Sequence, residues 1–116
     1  MKKLNIIKES KEFDNIIHTG RYIKNNYYII YYKDKANDYY RFGLSVGKKI
    51  SKRAVVRNKL KRRLKSIIDN NKNSYPKTKD YIIIMKGSCA LASYEELEKN
   101  FLNIINQVKG ENNEKE

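Results

Sequence analysis

The 116-residue sequence has one cysteine, one histidine, one proline and no tryptophan. With Cys89 alone, an intramolecular disulfide and a zinc knuckle are both excluded, and the expectation is a small buried thiol in a reducing cytosol. The single histidine, His18, sits near the end of a predicted helix and reads as a C-terminal helix charge, not a catalyst. Acids are sparse as well, 13 Asp and Glu against 26 Lys and Arg. Asp34 and Asp38 are loop acids, Glu95 and Glu96 are explained by helix capping, and no carboxylate cluster has metal-site spacing. Positioned groups for phosphodiester chemistry are therefore missing. No catalytic residue, metal ligand, protein-bound cofactor or small-molecule substrate is expected.

Long hydrophobic runs are missing too. No segment approaches the roughly 20 apolar residues that span a bilayer, and "MKKLNIIKESKEF" contains no apolar run of signal-peptide length. A soluble, cytoplasmic chain without a membrane partner is expected. The length fits one domain. A chain of this size buries roughly 65% of its unfolded surface, enough for one modest core.

What the sequence has in excess is positive charge. The net charge is +13, which points to a polyanionic partner. Residues 48–65, "KKISKRAVVRNKLKRRLK", hold ten Lys or Arg in eighteen positions and no acid. The stretch reads as a helix from Ser51 to Asp69, with Val56, Leu60, Leu64, Ile67 and Ile68 as its apolar stripe. Arg57, Lys61 and Lys65 line up beside that stripe, flanked by Asn58 and Arg62. Like charges at i,i+4, such as Arg57/Lys61 and Lys59/Arg63, cost about 0.2–0.5 kcal/mol per pair. A merely solvated face would intersperse Glu, so this one reads as a phosphate-backbone surface. The nearby "GLSVGKK" (43–49) is no P-loop: it has three residues between its glycines, and Lys49 stands where a hydroxyl must hold Mg²⁺.

Around the basic helix the pattern is as follows. Ser10 is placed as N-cap of a helix to Thr19, with Glu12 and Asp14 in its first turn, Phe13, Ile16 and Ile17 as its apolar face and Gly20 as its stop. Strands follow at 21–24 and 27–33. On the second, Tyr27, Ile29 and Tyr31 oppose Tyr28, Ile30 and Tyr32, so both faces need cover. After a turn at 34–38, the strand at 41–46 turns Phe42, Leu44 and Val46 to a core and Arg41, Gly43 and Ser45 to an open face. The loop at 70–79 holds the proline, and "DYIIIM" is placed as a central strand. Ser93 and Glu96 form a capping box opening a helix with Leu97, Phe101, Ile104, Ile105 and Val108 buried. One domain over 1–109 is expected, with a frayed polar tail at 110–116. The fold class is α+β: a small α/β sandwich in α-β-β-β-α-β-α order, its helices packed on a mostly antiparallel sheet.

The aromatics are ten Tyr and three Phe. Six Tyr fall within 27–40. Most such rings fill sheet faces, but an exposed ring beside the basic helix is suited to stacking on unpaired bases.

The run "FGLSVGKKISKRAVVRNKLKRRLK" resembles the signature of the bacterial ribonuclease P protein subunit. The resemblance spans about residues 4–108, including the "EFDNII–TG" opening helix, the "DYIII" strand and the "SYEEL" helix start. It implies a left-handed βαβ crossover through the basic helix, against the usual right-handed rule. It also implies a large catalytic RNA as partner, one that uses Mg²⁺ to cut the 5′ leader from precursor tRNA. On this resemblance, Lys48, Lys49, Arg53, Arg57, Asn58, Lys59, Lys61 and Arg62 face the catalytic RNA. Phe13, Ile17, Tyr31 and Lys86 line a cleft for the leader: Phe13 and Tyr31 against its bases, Lys86 on a phosphate. Three positions depart from the common pattern: Lys59 and Lys86 stand where relatives often have Arg, and Ile17 where many have an aromatic. Two other readings are open: a structural RNA-binding protein such as a ribosomal component, or an independent nuclease or basic-helix DNA binder. The last would normally bring a dimerising heptad, and there is none.

Overall fold

The computed structural model describes residues 1–35 and 39–114. In chain order it contains α1 (Ser10–Thr19), β1 (Arg21–Lys24), β2 (Tyr28–Asp34), β3 (Arg41–Val46), α2 (Ala54–Asn70), β4 (Lys79–Met85) and α3 (Tyr94–Glu114), with short 3-10 turns between. The expected turn at 34–38 and the loop acid Asp38 fall largely on residues 36–38, outside the described residues.

The sheet order is β1-β2-β4-β3. β1 and β4 each run antiparallel to β2, while β3 and β4 are parallel and joined by α2. As the continuous apolar run "DYIIIM" requires, β4 lies inside the sheet, with Tyr81, Ile82 and Ile83 fully buried. Alternation on β2 then decides the layers. Tyr28, Ile30 and Tyr32 join Tyr81, Ile83 and Met85 in the main core, together with the α2 stripe Leu60, Leu64, Ile67 and Ile68 and the α3 residues Leu97, Phe101, Ile104, Ile105 and Val108. On the opposite face a smaller cluster, Ile7, Ile16 and Ile82 with Phe13, Ile17, Tyr31 and Ile84, packs under α1. The main-core face is fully covered, whereas the face under α1 is covered only in part, with Ile29, Tyr31 and Ile84 half-exposed.

The capping box is present. Glu96 N–H donates to Ser93 Oγ (3.1 Å), and Ser93 N–H donates back to Glu96 Oε1 (3.3 Å).

Several boundaries differ from the sequence reading. Ser10 is not the N-cap of α1: Glu9 holds that position, without a side-chain cap, and its carbonyl accepts from Glu12 and Phe13. Gly20 does end α1, but with φ −84°, not as a left-handed cap. It is needed for space, since a Cβ there would lie 2.6 Å from the Ile16 carbonyl oxygen and 2.7 Å from that of Tyr32. Gly43 is buried instead of open, because Phe13 of α1 sits on it. α2 begins at Ala54, not Ser51, which keeps Lys52 and Arg53 out of the first turn, at the positive end of the helix dipole. α3 passes Gly110 and stays helical to Glu114, beyond the expected start of a frayed tail. A helical glycine costs about 1 kcal/mol, which weakens a helix without stopping it.

Candidate nucleic-acid interface

Two surfaces hold the residues singled out by sequence. The first is the approach to α2 and α2 itself. Lys48 and Lys49 lie exposed in the turn after β3, where Ile50 N–H donates to the Gly47 carbonyl. Arg53, Asn58, Lys59 and Arg62 are exposed on the helix or at its start, while Arg57 and Lys61 are half-buried. Among the described residues, none of the ten cations between Lys48 and Lys65 has an acidic partner. Arg57 is not free, however. Its Nη1 donates to the Ser51 carbonyl at 2.8 Å, and Ser51 Oγ in turn accepts from Arg53 N–H at 3.1 Å. Arg57 therefore braces the loop that leads the other cations into the helix.

The second surface is the sheet face under α1. Register places Tyr22, Tyr31, Ile82 and Gly43 in one row, and Lys24, Ile29, Ile84 and Ser45 in the next. α1 covers the first row at its Gly43 end through Phe13 and leaves Ile29, Ile84 and Ser45 half-exposed. Phe13, Ile17 and Tyr31 meet in the cluster under α1. Lys86 follows β4 directly. Its N–H continues the ladder to the Tyr27 carbonyl (2.8 Å), and its Nζ donates to the Asn25 carbonyl (2.9 Å). Three of the expected cleft residues, Phe13, Ile17 and Tyr31, therefore come together under α1, while Lys86 lies just beyond the end of β4 with its Nζ on Asn25.

The two surfaces meet at the outer edge of β3. There a cavity of about 330 Å³ has Phe13, Phe42 and Leu44 among its apolar lining residues and Lys8, Lys61 and Lys65 among its cations. The N-terminal segment reaches this edge by pairing with it: Ile7 N–H donates to the Phe42 carbonyl at 2.9 Å.

Asn25, in the gap between the expected strands 21–24 and 27–33, is a positioning residue. Its Oδ1 accepts from Tyr27 N–H (2.9 Å) and Tyr28 N–H (2.8 Å), its Nδ2 donates to the Asn100 carbonyl (3.1 Å), and its own carbonyl holds Lys86. Asn before a strand commonly makes such turns, so the local part was readable; the link to α3 and Lys86 was not.

At the far end of the same face an ion network ties α1 to the sheet. Arg41 grips Asp80 through Nε (2.9 Å) and Nη2 (2.7 Å) and reaches Glu12 through Nη1 (2.6 Å), while Lys35 lies 3.2 Å from Asp80. Burial alone would raise the Asp80 pKa, but Arg41 and Lys35 outweigh it and hold the carboxylate below its ordinary range.

Chemically these surfaces can hold an anion and stack a base. Among the described residues no group of three or more His, Cys, Asp or Glu could hold a metal ion. No helix is long and apolar enough to cross a membrane.

A family model described as Ribonuclease P matches residues 1–109. The chain is 42% identical over 110 residues to the ribonuclease P protein component of Mycoplasma mycoides subsp. mycoides, covering 94% of this chain and all of that one. It is 39% identical over 106 residues to the corresponding protein of Bacillus cereus, with 90% and 91% of the two chains covered. Solved structures agree. The Staphylococcus aureus RNase P protein superposes with a TM-score of 0.83 at 25% identity, covering 90% of this chain and 95% of that one. The Thermotoga maritima RNase P protein gives 0.81 at 26%, covering 87% and 94%. The match takes in the basic helix, the strip under α1 and the edge where they meet, and on it the chain belongs to the ribonuclease P protein family.

Proposed function

We propose that this chain is an RNA-holding subunit: α2 and its approach grip the catalytic RNA of ribonuclease P, and the strip under α1 receives the 5′ leader of precursor tRNA. The observation that carries the reading is the run of ten cations without acidic partners among the described residues beside a half-open, partly aromatic sheet face. Unpaired Lys and Arg gain counterion-release energy only from a polyanion, and half-exposed rings favour unstacked bases over a duplex.

In this role Lys48, Lys49, Arg53, Lys59, Lys61 and Arg62 take phosphates. Asn58 adds a directional hydrogen bond, and Arg57 fixes the loop while facing the same RNA. Phe13 and Ile17 wall the cleft, Tyr31 offers its ring, and Lys86, held by Asn25, keeps further N–H donors for a leader phosphate. In this reading the Mg²⁺ that the family's chemistry calls for is held by the RNA. The RNA carries the cleavage, and the protein's contribution is binding and orientation. A cytoplasmic site of action follows from that partnership.

The test is precursor-tRNA cleavage at low Mg²⁺ with a bacterial ribonuclease P RNA, with and without this protein. Silence of the protein alone, and correct 5′ cleavage once it joins the RNA, is the expected result. No effect in either setting would redirect the basic helix to a structural RNA outside tRNA processing.

A further inference from the structure

Strand β1 sits at the open edge of the sheet, outside β2 and β4, the strands on which α1 mainly packs. Its side chains alternate. Ile23 packs against the main core, so Tyr22 and Lys24 point to the opposite face, the one that carries the cleft. Tyr22 is 59% exposed. It pairs across the strands with Tyr31, and the two rings lie 5.7 Å apart, tilted by 44°. Lys24 pairs with Ile29 in the adjoining row, is exposed, and has no acidic partner among the described residues.

From this placement we infer that Tyr22 and Lys24 extend the leader cleft to the sheet edge, Tyr22 stacking on the base beyond the one held at Tyr31 and Lys24 taking the adjoining phosphate. The inference rests on the leader reading above. An aromatic ring left mostly in water buries little apolar area, so the fold gains little from it. As a second platform beside Tyr31 it gains a base face. An edge strand is also the one place in the sheet where a strand of RNA can leave without crossing another element. Lys24, beside Ile29, and Lys86, whose Nζ lies on the carbonyl of the next residue, Asn25, complement a single-stranded phosphate backbone.

The experiment uses the holoenzyme reconstituted with a bacterial ribonuclease P RNA and precursor tRNAs whose leaders are shortened one nucleotide at a time, with leaderless tRNA as reference. Tyr22→Ala should weaken binding of long leaders roughly 5-fold or more and leave the shortest leaders and leaderless tRNA unchanged. Tyr22→Phe should restore parental binding, because stacking needs the ring and not the hydroxyl. Lys24→Gln should reduce the salt dependence of long-leader binding. Parental binding by Tyr22→Ala at every length, alongside weakened binding by Tyr31→Ala, overturns this inference alone. If Tyr31→Ala is also silent at every length, the leader reading falls and takes the inference with it. Equal loss on all substrates, leaderless included, would mean that Tyr22 acts only through the fold, which also overturns it.

Discussion

The ring of Phe13 lies against Gly43: a Cβ placed on that glycine would come within 2.6 Å of the ring and 2.7 Å of Ile82. A glycine in the edge strand thus sets how closely α1 settles on the sheet, and so the depth of the cleft beside it. Gly43→Ala should force both neighbouring side chains to move, at about 1–2 kcal/mol, and weaken leader-dependent binding through Phe13. Gly20→Ala should cost more, because its new methyl meets two backbone carbonyls that cannot rotate away. Urea unfolding of the two variants gives the order directly, and a less stable Gly43→Ala would refute it.

Salt dependence separates the cations that touch phosphate from the one that braces a loop. Lys59 and Arg62 are exposed and have no acidic partner among the described residues. Replacing both with Gln should lower the log–log salt slope of RNA binding by about 2 with no loss of folding stability. Arg57→Ala should behave differently: its bond to the Ser51 carbonyl goes, so stability falls together with affinity. Neutralising Arg57 with Lys61 should still reduce the slope by about 1–2. An unchanged slope in the Lys59/Arg62 variant would mean that this face of α2 is not at the RNA backbone.

Cys89 is buried, and its thiol donates to the Tyr27 carbonyl at 3.1 Å. Burial pushes its pKa up to about 11, the Lys86 backbone acting weakly in the other direction. The native protein should therefore resist thiol reagents at neutral pH and react at the rate at which it opens. Labelling followed across a urea series should track global unfolding. Fast labelling of the folded protein would show that the segment between β4 and α3 opens locally.

Much of this architecture was legible because single-period patterns carry it. The stripe Leu60, Leu64, Ile67 and Ile68 is buried as its spacing requires, the Tyr and Ile of β2 divide between a buried face and a half-covered one, and Ser93 with Glu96 caps α3. What escaped was set by contacts distant in sequence. Gly43 looks like an open-face residue until Phe13, thirty positions earlier, is placed over it. A helical wheel aligns Arg57 with Lys61 and Lys65 but does not show that its Nη1 also holds a carbonyl six residues back. The start of α2 was misplaced for a related reason: periodicity marks the apolar stripe, but it carries no information on where a cationic segment stops tolerating the helix dipole. Tyr22 and Lys24 were assigned to a strand without a face, because a four-residue strand gives alternation but no core to orient it.

The Arg41–Asp80 pair carries a pH dependence whose sign can be worked out. The folded Asp80 carboxylate is held below its ordinary range, burial being outweighed by Arg41 and Lys35, while in the unfolded chain it titrates near ~3.9. A depressed carboxylate binds its proton more weakly in the folded state. The stability it contributes is therefore complete above the unfolded value and is lost as the pH falls through about 4 and below. The urea midpoint of the parent should drop along this acid limb. Asp80→Asn should flatten the limb and, at neutral pH, destabilise by about 2–4 kcal/mol, since Arg41 would keep Glu12 but lose its bidentate partner in a half-buried site. Some acid sensitivity should persist in the variant, because Glu96 is also held low, first by the Ser93 backbone N–H and then by Tyr27. The network joins Glu12 of α1 to β3 and β4, so loosening it should also let α1 shift over the cleft. Leader-dependent binding should then weaken in Asp80→Asn at neutral pH, where the protein is still folded. An Asp80→Asn protein with the parental acid limb would mean that Asp80 titrates normally and that α1 is held by its apolar face alone.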